Sequence, residues 1–207
     1  MVEVGSALGM EVTAQITSMD HPIGHLLGNA HEVAESVACL KGEGPKDTME
    51  LVRMQGAALG ADVDAVIADG SALDAFAQMC RRQGVDEATV TSLIADPWSV
   101  LPRGSSRTTI VAPTSGWISG IDALALGRAL VQIGAGRTHP DDALDLGAGI
   151  ELLTTVGAPV EAGTPLAHID HNMAVGVPDV VEAFVIGAEA ISAGSRLLET
   201  VRLDEGR

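Results

Sequence analysis

The chain has 207 residues, enough to bury a core, and 46% of them are apolar while only 2% are aromatic. Such a core is built from Ala, Leu, Val and Ile, which calls for closely packed elements with small side chains. Its 28 acidic and 12 basic residues give a formal charge of -16. That charge makes the chain a poor candidate for a phosphate-neutralising nucleic-acid surface and disfavours an anionic membrane.

From the amino end, "MVEVGSALGMEVTAQITSMD" reads as the last turns of a helix and then a short strand. Gly5 and Gly9 interrupt the helical signal, and Val12, Ala14 and Ile16 alternate. Asn29 is placed to cap a helix, with Glu32 three residues on completing a capping box. Val33, Val37 and Leu40, widened by Ala30 and Ala34, form its apolar stripe up to Gly42. A second helix is expected from Asp47 to Gly60, and a third from Ser71 to the Arg81, Arg82, Gly84 exit, where basic residues suit the carbonyl end. Residues 1–92 thus read as a partial α/β unit of one strand and several helices. One strand makes no sheet, so its sheet is expected to be supplied from elsewhere.

"ADPWSVLPRGSSRTT", residues 95–109, gathers prolines, a glycine and serines, and places a linker at 93–106. Beyond it the pattern changes to short strands, "TTIVAP", "GWISGID", "GIELLTT" and "PLAHID", and a last strand "SRLLETVRL". Helices are expected at Asp122–Ile133 and Asp179–Ile191. The balance predicts an α+β domain over 107–207. "VGAPVEAGTPLAHI" has the rhythm of a lipoyl or biotinyl hairpin, with turns at Gly157 and Gly163. The only lysines are Lys41 and Lys46, so no acceptor lysine stands at its tip.

Candidate chemistry is sparse. His21, His25 and His31 lie in a Gly- and Pro-containing stretch that secures no converging third ligand, so they read as solvent-facing or hydrogen-bonded rather than as a zinc site. His168, Asp170 and His171 read as a strand-end polar turn. "GAGR", residues 134–137, lacks the setting of a phosphate loop, and Arg137 is expected to pair with Asp141 or Asp145. Cys39 and Cys80 form no CxxC pair and read as reduced thiols. No apolar run reaches about 18 residues, and Glu3 stands where a signal peptide is basic, so the chain is expected to be soluble and cytoplasmic, without nucleic-acid or membrane partners.

Taken in order, "MVEVG", "MDHPIGHLLGNAHEVAESVACLKGEGP", "GWISGIDALALGRALVQIGAGR", Asp145, Gly149 and "VGAPVEAGTPLAHI" resemble the carboxy-terminal half of the thymidine and pyrimidine-nucleoside phosphorylases. The resemblance implies the remainder of that family's α/β domain followed by its small carboxy-terminal α+β domain. It also implies the family's chemistry, reversible attack of phosphate on the anomeric carbon of a pyrimidine nucleoside to give base and pentose 1-phosphate.

The family's phosphate loop and base-holding Arg, Ser and Lys have no counterparts in this sequence. The resemblance therefore implies no catalytic or substrate-binding residue here, and inactivity without an amino-terminal phosphorylase half as partner. Pyrimidine nucleoside and phosphate would bind only in that complex. It also implies a potassium ion held by the backbone carbonyls of Ile23 and Leu26 and the carboxylate of Glu35, with further ligands from the amino-terminal half. The alternative is a non-catalytic interaction or structural protein that retains the folded carboxy-terminal domain.

Overall fold

The computed structural model describes residues 1–174 and 176–202. Leu203, the last residue of the expected final strand, and residues 204–207 of the expected domain lie outside the described residues. Helix and sheet are mixed throughout, with three sheets among the described residues.

Helix α1 (Val2–Ala7) leads into β1 (Ala14–Thr17). The partner of β1 is the chain's own β9 (Leu197–Val201), antiparallel with Ala14 opposite Val201. The expectation that its sheet comes from elsewhere is thus corrected: pairing across nearly the whole chain leaves no local signal. The first ninety-two residues also hold a second strand, β2 (Leu26–Leu27), which pairs with β5 (Gly149–Leu152).

Helix α2 (Asn29–Leu40) follows at once, with its cap one residue earlier than the expected Asn29. Gly28 is the cap, at φ 118°, a conformation that suits glycine, and a Cβ there would lie 2.8 Å from the Ala148 carbonyl oxygen. Glu32 still reaches back, accepting the Gly28 N–H at 3.1 Å, whereas Asn29 Nδ2 donates to the Ala135 carbonyl at 2.8 Å. The buried face is Ala30, His31, Ala34 and Val37, and Val33 is exposed.

Four helices then pack each on the next: α3 (Lys46–Ala58), α4 (Val63–Ala68), α5 (Ser71–Arg82) and α6 (Glu87–Ala95). Asp62 and Asp86 cap α4 and α6 by accepting the N–H of Ala65 and of Thr89.

The remaining elements are β3 (Ser106–Val111), β4 (Gly116–Ile121), α7 (Ala123–Gln132), β6 (Pro159–Val160), β7 (Pro165–His171) and β8 (Phe184–Gly187). They form a four-stranded sheet ordered β2-β5-β7-β3 and a three-stranded sheet ordered β6-β4-β8. One apolar cluster joins both sheets and α7, with Ile118, Leu126, Ile150, Leu166 and Ile169 at its centre.

Two expectations fail here. Residues 179–191 form a 3-10 turn, Val181–Ala183, and then β8, because the free edge of β4 is better served by a strand than by a helix. The turns at Gly157 and Gly163 do form, with φ of 90° and 86°, but β6 pairs with β4 and β7 with β3 and β5, so the two are not a hairpin.

Candidate functional site

The three histidines at the head of α2 go to different places. His21 Nδ1 lies against the Ile121 backbone, 3.2 Å from its carbonyl oxygen, and His25 is exposed. His31 is fully buried, and its Nε2 meets Asp170 Oδ2 at 3.0 Å. Among the described residues no group of three His, Cys, Asp or Glu side chains is placed to hold a metal.

Asp170 is not in a polar turn. It lies inside β7, 2% exposed, because two arginines from the Gly- and Ser-rich stretch before and within β3 reach it. Arg103 Nε donates to Oδ2 at 2.8 Å, and Arg107 donates from Nε to Oδ1 at 2.7 Å and from Nη2 to Oδ2 at 2.9 Å. Arg107 also pairs with Glu151 at 3.1 Å. The Arg103 guanidinium sits 4.2 Å over the Trp98 ring, and Trp98 meets the His31 ring edge-on at 5.0 Å between centroids. Residues 98–107, expected as linker and strand start, therefore supply three members of a buried polar centre. No local signal joins them to His31, 139 positions from Asp170.

Burial by itself pushes the Asp170 carboxyl up, but hydrogen bonds from Arg107, Arg103 and His31 outweigh it and hold the group well below the usual carboxylate range. Burial lowers His31, and its bond to Asp170 restores only part. His31 Nδ1 is buried with no hydrogen-bond partner among the described residues, pressed against Gly149, where any Cβ would overlap the ring. The imidazole is thus held neutral with its proton on Nε2.

His168 and His171 leave the strand on opposite faces, as the alternation requires, and meet Thr109 and Thr108 at 3.1 and 3.0 Å. Arg137 pairs with neither Asp141 nor Asp145 among the described residues. Asp145 instead accepts from Gly147 N–H and Asn172 Nδ2, the short loop competing successfully for its oxygens.

The second centre is Glu35, one helical turn after His31. Its Oε2 accepts the N–H of His25 at 2.7 Å and of Leu26 at 2.9 Å. Gly24, at φ 76°, lets the carboxylate close on the loop, since a Cβ would overlap it. Burial raises the Glu35 carboxyl, and those two N–H bonds offset part of the rise. Arg196 fixes the loop from its other side, donating to the His21 and Pro22 carbonyls and to Asp47 at 2.8 Å.

Glu35 and Leu26 therefore meet, with Ile23 three residues before Leu26. The three supply one carboxylate and two carbonyls, chemically suited to a monovalent cation, whose hydration shell carbonyl oxygens can replace. Glu35 Oε2 already accepts two backbone N–H groups. Glu35, Leu26, Asp47, Trp98, Glu151 and Arg196 all border one cleft of about 990 Å³. No helix among the described residues is long and apolar enough to cross a membrane.

A mixed helix-and-sheet unit with these strands matches a known class. Residues 117–190 match the family model described as the pyrimidine nucleoside phosphorylase C-terminal domain. The chain is 38% identical over 189 residues to thymidine phosphorylase of Homo sapiens, 83% of this chain and 39% of that one. It is 39% identical over 179 residues to thymidine phosphorylase of Mycobacterium tuberculosis, and 36% identical over 185 residues to pyrimidine-nucleoside phosphorylase of Bacillus subtilis. Each alignment takes in 83% of this chain.

The chain belongs to the thymidine and pyrimidine-nucleoside phosphorylase family and corresponds to the carboxy-terminal part of its members. It spans about two-fifths of the length of the curated relatives it matches.

Proposed function

We propose that these residues act as the carboxy-terminal portion of a pyrimidine-nucleoside phosphorylase, which converts a pyrimidine nucleoside and phosphate to free base and pentose 1-phosphate. The alignment of 83% of the chain with enzymes of that name carries the reading. A phosphorolysis site must hold phosphate with several donors and stabilise charge on the departing base. In this reading those donors belong to the amino-terminal portion, the implied partner.

The finer arrangement belongs to the same proposal. Residues 1–92 complete the family's α/β domain, 93–106 connect, and 107–207 form the small α+β domain. Glu35, with the carbonyls of Ile23 and Leu26, holds one side of a potassium ion near the junction, and the amino-terminal portion supplies the other side. The observation in support is the Glu35 carboxylate seated on the loop that carries both residues. The cytoplasm is the proposed compartment, supported by the free thiols Cys39 and Cys80.

The test is direct. Incubated alone with thymidine or uridine and phosphate, the purified chain is expected to release no base beyond a protein-free control. Phosphate-dependent base release by the chain alone overturns the division of labour.

A further inference from the structure

Helix α2 carries His31 and Glu35 four residues apart, a spacing that sets both side chains on one face. The first is anchored at Asp170, and the second holds the His25 and Leu26 amides. Rotation of the helix about its axis would disturb both attachments together. Of the buried apolar side chains on α2 only Val37 is branched; Ala30 and Ala34 are small and Val33 is exposed, so apolar packing alone fixes the rotation loosely. The hydrogen bond from His31 is directional and buried, and its acceptor is held rigidly by Arg103 and Arg107.

The geometry points to the Asp170 centre as a latch whose task is to position Glu35: His31, held on Asp170, sets the rotation of α2 that seats the Glu35 carboxylate on the 25–26 backbone. His31 is a positioning residue in this account, with no contact to substrate. The same centre ties Trp98 and Arg103, from the stretch after α6, to β7 and β5, and the loop meets the same sheet directly where Leu26 lies opposite Glu151 in β5. The inference rests on the proposed function only for the purpose of the loop. The positioning itself is read without any cation, so the two can fail separately.

Amide hydrogen exchange in the full chain tests it, with α7 amides such as Leu126 and Ile133 as internal reference. His31→Leu fills the space but offers no donor, and the His25 and Leu26 amides should exchange about tenfold faster relative to α7. His31→Gln can again place an N–H on Asp170 and should return both amides toward the unsubstituted rates. Unchanged His25 and Leu26 exchange in His31→Leu overturns the latch, as does equal acceleration in both variants, which would mark His31 as a packing residue. Should His31→Leu not fold, Arg103→Gln loosens Asp170 from a partly exposed position. Faster exchange at His25 and Leu26 than in α7 then supports the latch, and no difference overturns it.

Discussion

Asp170 shows how far one carboxylate can organise its surroundings. Asp170→Ala leaves the buried His31 N–H without its acceptor and should lose about 1–3 kcal/mol in denaturant unfolding, while the partly exposed Arg103 and Arg107 stay hydrated. His31 sets the acid side. Its folded value is depressed below the unfolded value of about 6.5, so its stabilising contribution is present above that pH and is lost as pH falls through the folded value. Asp170 adds a further loss only in stronger acid, below its unfolded value of about 3.9. The melting temperature should therefore fall as pH drops below about 6.5, and His31→Gln should flatten that fall. Gly149→Ala should cost about 1–3 kcal/mol, because its Cβ would drive the His31 ring off Asp170. None of this was legible residue by residue. Asp170 looked like turn polarity, and Arg103 sat among the Gly, Pro and Ser of an apparent linker.

Elements were easier to read where the signal is local. The apolar stripes and first-turn acids of α2, α3 and α5, the Asp122 cap of α7 and the runs of β3, β4, β5 and β7 all lie within a few residues of what they specify. Errors came where partners are distant. The run Val180–Ile186 is apolar enough for a helix, yet β4 has an edge to fill, and β1 finds β9 from the far end of the chain. The helix at Asn29 began one residue early because Gly28 was free to take the cap geometry. A contrast of two leucines tests the assignment of the core. Leu166 in β7 is fully buried, so Leu166→Ala should lose about 2–5 kcal/mol, whereas Leu198→Ala in β9, 65% exposed, should stay within about 0.5 kcal/mol.

At the scale of the molecule, family membership was legible because ordered motifs span most of the chain, and the comparisons agree with it. Of the residues expected at a cation site, Glu35 seats on the loop through the Leu26 N–H. The account's central claim is that these residues are one portion of a phosphorylase whose phosphate and base contacts lie on another. The most direct measurement is phosphate-dependent release of thymine or uracil by this chain, by an amino-terminal phosphorylase portion produced separately, and by the two together, with their assembly followed by gel filtration. The account predicts release only from the assembled pair. Release by this chain alone, or a stable pair that releases no base, would contradict it.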